Sequence, residues 1–248
     1  MHHFFVSPDM VGEDEITIEG TDVNHIKNVL RMKSGEELLI SDGAGNDYMC
    51  EIAVINDDSV VAHITGKEFS GTELETKIYL FQALPKSDKM EMIVQKAVEL
   101  GAYAIVPVRT SRCVVKLDEK KAAAKVKRWN GIAESAAKQS RRGIIPEVKN
   151  VMGFKEALEY VKDFDMNIIP YENYKDMKET VNVLENVKGM KNIGVFIGPE
   201  GGYAEEEIEL AMDKNVHPIS LGRRILRTET AGMAVLSVLM FDIERQKD

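Results

Sequence analysis

Cysteine is scarce. Cys50 and Cys113 stand far apart, and two thiols so separated give neither a disulfide framework nor a cysteine-ligated metal site. They fit a reducing compartment. His25, His63 and His217 show no H-x-x-x-H spacing and read as structural or surface residues, so no metal is expected. No apolar run approaches membrane-spanning length. The start, MHHFFVSPD, lacks the basic residues and long apolar stretch of a secretory leader, and its two histidines are too few for a purification tag. A cytoplasmic protein without a membrane partner is therefore expected. Two phosphate signatures are missing as well. There is no G-x-G-x-x-G near the first strand with an acid further on, and no G-x-x-x-x-G-K-[ST] loop. A nicotinamide oxidoreductase thus lacks its fingerprint.

What is present suits a folded protein. The 248 residues, 44% of them hydrophobic, can bury the core of one large domain or two small ones. The net charge of −9 argues by itself against nucleic acid. Its distribution argues otherwise. Between Pro107 and Asn150 lie 12 Lys/Arg and 4 Asp/Glu, whereas the remainder carries 20 against 37. A concentrated basic segment on an acidic body attracts phosphate locally, although a helix with a solvated basic face has the same composition.

Residues 1–70 read as β-rich. Strands are expected at Phe4–Val6, Ile16–Ile18, Glu37–Ser41, Tyr48–Ile55 and Ser59–Lys67, with turns at Asp42–Asn46 and Asn56–Asp57. Asp22–Met32 has helical spacing. Val23, Ile26, Val29 and Leu30 would share its buried face and Asp22 would cap it. Short strands, tight turns and one small helix suggest a compact barrel-like domain. Gly66–Glu75 resembles a linker, of which 71–75 is taken as the connection proper.

From Thr76 the pattern alternates. Lys77–Leu84 is a strand. Asp88 with Glu91 signals a capping box before a helix that runs through Leu100. Tyr103–Val108 is the next strand. Asp118–Ser140 is a long helix with a buried stripe of Val126, Trp129, Ile132, Ala133 and Ala136. Shorter elements follow at Phe154–Val161, Met166–Asn173 and Met177–Leu184. Then Ile193–Ile197 breaks at GPEGG, an acidic helical pattern follows, Val216–Ser220 forms a short strand, and LGRRILR leads to a final helix opened by Thr228. Strand–helix alternation implies an α/β fold with a mainly parallel sheet.

The two glycine turns carry the functional reading. Glycine lets backbone approach a flat ligand closely, and in open α/β sheets ligands sit at strand ends. A tight turn with no ligand is the alternative. Glu200 either caps the following helix, orients a basic residue or takes a proton. Glu229 sits in the first turn of the last helix and could pair with Arg227 or Arg223. Arg223, Arg224 and Arg227 are placed to bind RNA phosphate or steady a developing charge, unless some pair with the acidic body. Arg109 and Arg112 follow a strand end and are candidates for the same surface, while Gln139, Arg141 and Arg142 close the basic helix. Cys113 reads as packing rather than a nucleophile.

Blocks along nearly the whole chain resemble the bacterial 16S ribosomal RNA uridine-N3 methyltransferases of RsmE type, within the SPOUT class. They are His2–Val6, His25–Glu36, Lys86–Gly101, Ile105–Cys113, Arg128–Arg142, Ile197–Gly202 and Leu221–Ala231. The resemblance implies a PUA-like β-barrel domain over 1–70 and a methyltransferase domain with a deep trefoil knot over 76–248. It implies S-adenosylmethionine held by three loops. The first contributes Pro170, Tyr171 and Glu172. The second contributes Ile197, Gly198, Pro199, Glu200, Gly201 and Gly202. The third contributes Ser220, Leu221, Gly222, Ile225 and Leu226. It implies a homodimer acting on a decoding-region uridine, conventionally U1498, of 16S ribosomal RNA in the assembled small subunit. Removing the N3 proton leaves charge on the base, and Arg227, Arg223 or Arg112 would steady it, with Glu200 as a candidate proton acceptor. His25, Lys27, Arg31, Arg109, Arg112, Gln139, Arg141, Arg142 and Arg224 would contact RNA. Two other readings stay open: a SPOUT methyltransferase for another RNA position, such as a 2′-hydroxyl or guanine N1, and a non-catalytic ribosome-associated RNA-binding protein.

Overall fold

A computed structural model describes residues 1–68, 71–187 and 189–245, Glu68 by its backbone alone. The chain divides into two compact units. One comprises Met1–Glu73 with Ala137–Ile145, the other Leu74–Ala136 with Pro146–Asp248.

The first unit holds β1 (His2–Phe5), β2 (Glu15–Glu19), α1 (Thr21–Asn24), β3 (Glu37–Ser41), β4 (Asp47–Ile55) and β5 (Ser59–Glu68). They form one mixed sheet in the order β1-β3-β4-β5-β2, with β1 parallel to β3 and the other pairs antiparallel. Among the described residues the two edges, β1 and β2, do not pair, so the hydrogen-bonded path is an open sheet rather than a closed barrel. Period-2 alternation sends Leu38, Ile40, Cys50, Ile52, Val60 and Ala62 into one core with Phe4, Ile16, Ile18 and Ile26. Gly66 and Lys67, expected in the linker, still belong to β5. The expected boundary at residue 70, together with Phe69, lies outside the described residues.

The expected helix at Asp22–Met32 is a single α turn that passes into a π-helical turn at His25–Leu30. The wider i→i+5 winding changes the phase of the side chains. Val29, expected inside, is 65% exposed. Asp22 does not cap the helix, since Gly20 is the N-cap residue. Its carboxylate accepts instead from Lys138 Nζ at 2.9 and 3.0 Å.

The second unit holds β6 (Lys77–Ala83), α2 (Lys89–Glu99), β7 (Ala104–Arg109) and α3 (Glu119–Ser140), whose last turn belongs to the first unit. It continues with β8 (Glu147–Val148), β9 (Met152–Gly153), α4 (Phe154–Tyr160), β10 (Met166–Pro170) and α5 (Met177–Glu185). The last elements are β11 (Asn192–Ile197), α6 (Glu205–Asp213), β12 (His217–Ile219) and α7 (Thr228–Glu244). All strand pairs are parallel, in the order β12-β10-β11-β6-β7-β8, with β9 also on β7. Both faces are covered, as a parallel sheet requires. Phe81 and Phe196 stack with ring centroids 4.5 Å apart and pack with Ala157, Leu158, Ile208 and Ala211 of α4 and α6. Opposite, Gly232 of α7 lies against Leu80, Gln82 and Ile197. The capping box expected at Asp88 and Glu91 does not form. Asp88 makes no side-chain cap, and Glu91 instead accepts from Arg128 at 2.9 Å.

Candidate cofactor cavity and RNA-facing residues

β12, β10 and β11 are neighbouring parallel strands, so their carboxyl ends lie on one edge of the sheet. The segments that leave those ends are the three loops singled out in the sequence. They enclose a single cavity of about 380 Å³, within the size range of small-molecule sites. Pro170, Tyr171 and Glu172 line it. So do Ile197, Gly198, Pro199, Glu200 and Gly202, and the whole stretch Ser220–Thr228. Gly201 does not line the cavity: its carbonyl accepts from Arg112 Nη1 at 2.9 Å, behind the turn. Lys89, Tyr203, Thr228 and Ala231 are lining residues that sequence reasoning missed.

The Gly198–Gly202 turn is fastened at almost every residue. Thr228 Oγ1 donates to Gly198 O at 2.6 Å and accepts from Gln82 Nε2 at 2.9 Å. Gly202 N–H donates to Pro199 O at 2.9 Å, and Gly202 stands at φ +66°, where glycine is favoured. Tyr203 is 5% exposed, and burial drives its phenol pKa well above the usual value, so it stays neutral. A Cβ on Gly198 would stand 3.1 Å from the Tyr203 ring. The absence of a side chain at Gly198 therefore admits Tyr203.

Glu200 caps no helix; the N-cap of α6 is Ala204, whose N–H donates to Glu207 at 3.0 Å. The Glu200 carboxylate accepts from Lys86 N–H at 3.0 Å and from Lys89 Nζ at 3.1 Å. Burial by itself raises its pKa. The hydrogen bonds from its own backbone, Lys89 and Lys86, with the Lys89 charge, outweigh that and hold it below the carboxylate range. Such a carboxylate is a poor proton acceptor at neutral pH. Glu229 pairs with neither Arg227 nor Arg223. Its Oε2 lies 3.3 Å from Lys89 Nζ, and the side chain is 12% exposed.

The opposite wall is held more loosely. Ser220 N–H donates to Thr180 Oγ1 at 2.9 Å and Gly222 N–H to Ser220 Oγ at 3.4 Å. Gly222 has φ +95°. Arg223, Arg224 and Arg227 are exposed and line the cavity. Among the described residues none of the three forms an ion pair, so their charge is available to an anion. Ile225 is 86% exposed.

The RNA-facing candidates are distributed over both units. His25, Lys27, Arg31, Gln139 and Arg141 are exposed and belong to the first unit. Lys27 pairs with Asp57 at 2.7 Å. Arg109 and Arg112 are exposed in the second unit. Arg142 is a correction. It is 4% exposed and forks onto Glu73 through Nε at 2.8 Å and Nη2 at 2.6 Å. A buried guanidinium committed to a carboxylate has no face left for phosphate.

A mixed sheet in one unit and a parallel sheet with a cavity at its strand ends in the other are, by the comparisons, the two domains of an RNA-methylating enzyme class. An RNA methyltransferase domain model matches residues 72–240, and an RNA methyltransferase PUA domain model matches 18–65. A ribosomal RNA small subunit methyltransferase E from Bacillus subtilis is 39% identical over 232 residues, covering 92% of this chain and 90% of that protein. The same-named enzyme from Neisseria gonorrhoeae, solved bound to S-adenosyl methionine, superposes with a TM-score of 0.86 at 30% identity, covering 97% of each chain. A methyltransferase from Legionella pneumophila, solved with the same cofactor, gives 0.84 at 31% identity and 96% of each chain. The chain belongs to the ribosomal RNA small subunit methyltransferase E family.

Proposed function

We propose that this protein methylates N3 of a decoding-region uridine in 16S ribosomal RNA, within the assembled small subunit, using S-adenosylmethionine. The observation that carries the reading is the one cavity built by all three strand-end loops with unpaired arginines on its wall. The residues fit the cofactor. Gly198 and Gly202 bring backbone close to a flat ring, Ile197, Leu221 and Leu226 offer apolar contact, and backbone N–H and C=O groups can read an adenine edge. The bound cofactor supplies an electrophilic methyl group.

The chain supplies position and charge. Uracil N3 must lose its proton for attack, which leaves negative charge on N3 and the adjacent oxygens. Arg227 and Arg223, unpaired and facing the cavity, are placed to steady that charge. Arg112 is the weaker candidate, because one of its N–H groups braces Gly201. Glu200 is held as an ion pair, so the proton leaves to another acceptor. The base leaves its stack to reach the cavity. Residues 1–70, joined through 71–75 to the methyl-transfer domain at 76–248, help hold the RNA through His25, Lys27 and Arg31, and Gln139 and Arg141 of the segment 137–145 in the same compact unit add further contacts. Arg109 and Arg224 serve the second unit.

A PUA-like first unit, curled but open at its edge strands, and a deep trefoil knot are part of this reading. Support for the knot comes from the chain path. After β11 it runs out to the edge strand β12 beyond β10, then returns as α7 to pack on β6, β11 and α2. Such threading is a rare exception among folds. A homodimer is proposed on the exposed apolar positions Val238 and Phe241 of α7. No helix among the described residues is long and apolar enough to cross a membrane, and we place the enzyme in the cytoplasm.

Mass mapping of small subunits treated with protein and cofactor tests the reading. One methyl on a decoding-region uridine is expected, with a primer-extension stop there because N3 methylation blocks pairing. A methyl on ribose or guanine would move the target, and no methyl at all would leave an RNA-binding protein.

A further inference from the structure

Lys89 is out of place by local rules. A cation at the first position of an α-helix meets the positive end of the helix dipole. Three observations explain it. Its Nζ lies 3.1 Å from Glu200 Oε1 and 3.3 Å from Glu229 Oε2. Those carboxylates belong to the Gly198–Gly202 turn and to the first turn of α7. Glu229 Oε2 is buried and has no hydrogen-bond partner, so the Lys89 charge is what balances it. Lys89 also lines the cavity. The other charged side chains around it there are Glu172, Arg223, Arg224 and Arg227, none in an ion pair among the described residues.

We propose that Lys89 is a positioning residue for cofactor capture: one ammonium ties Glu200 of the Gly198–Gly202 turn to Glu229 at the start of α7, beside the Thr228–Gly198 hydrogen bond, and so sets where that wall of the cavity stands. The proposal rests on the cofactor reading above. Without the ammonium, two carboxylates within reach of one point repel each other, and the Glu200 end of the turn is pushed out of place although Thr228 still holds Gly198. Lower pH, which favours the neutral form of a carboxylate held beside another, relieves that repulsion. Binding in a variant without the lysine therefore improves as pH falls, whereas the intact clasp keeps affinity level across the neutral range.

The test is calorimetric binding of S-adenosylmethionine to the full chain at about pH 8 and about pH 6, with circular dichroism to follow folding. K89M is expected to bind about tenfold more weakly than wild type at the higher pH and to recover part of that loss at the lower. K89M/E229Q, which removes the surplus buried charge, is expected to regain most of the affinity at both. K89R, which keeps charge and reach, should stay within about threefold of wild type. Because the double variant leaves no unpaired buried charge, it reads the clasp even where K89M does not fold. Wild-type affinity in K89M overturns the proposal. So does an equal loss at both pH values that E229Q does not relieve. Failure of wild type to bind the cofactor would instead reject the functional reading itself.

Discussion

The two walls of the cavity are built on opposite principles. The Gly198–Gly202 turn is tied down by Thr228, Arg112, Lys86 and Lys89 and backed by the buried Tyr203 ring. The Ser220–Arg227 wall has far fewer ties, with Arg223, Arg224, Ile225 and Arg227 out in solvent. The difference separates two tasks. A wall that reads a rigid, flat ring gains by being preformed, since no ordering cost then falls on binding. A wall that meets a large, charged RNA gains by leaving its cations unpaired.

The sharpest break of that contrast is Gly198→Leu. The new side chain meets the Tyr203 ring, whose flexible end is itself enclosed, so the preformed wall has to shift. Cofactor affinity is expected to fall by about a hundredfold or more, with stability lowered by about 1–3 kcal/mol as in other overpacked sites. Calorimetry and thermal melting check it, and near-normal affinity would mean that the turn is not the rigid wall.

Arg227→Ala probes the other wall. The guanidinium is exposed and makes no cap, so stability should change by less than about 0.5 kcal/mol. Methylation should fall about a hundredfold, as for loss of one donor that faces a developing charge, while cofactor affinity stays close to wild type. Full turnover in the variant would remove Arg227 from the chemistry.

The smallest loss of function belongs to Gly222→Ala. A Cβ there meets nothing within 4 Å, but φ is +95°. The cost is backbone strain alone, about 1–2 kcal/mol, and affinity should drop only severalfold. A loss as large as that of Gly198→Leu would show that the two walls are equally rigid.

Much of this was legible along the chain. The strand at Glu37–Ser41 and the buried stripe Val126, Trp129, Ala133 and Ala136 follow from periodicity, because apolar spacing records which side faces the core. The glycines at 198, 202 and 222 mark the turns, because only glycine suits the close approach or the positive φ. Other readings went wrong at the point where a distant partner decided. Arg142 looked like part of a basic RNA surface, yet Glu73, 69 residues away, buries it. Lys89 drew no reading at all, because Glu200 stands 111 residues further along. Val29 had a helix's spacing, but the backbone wound as a π turn and turned it outward.

The sequence by itself therefore determined the elements, the points at which they bend, and the family to which the chain belongs, since these rest on local periodicity, glycine stereochemistry and ordered motif blocks. Only the tertiary structure decided which charges meet. An ion pair requires two side chains within a few ångströms, and that proximity is created when segments far apart in the chain reach the same edge of the sheet.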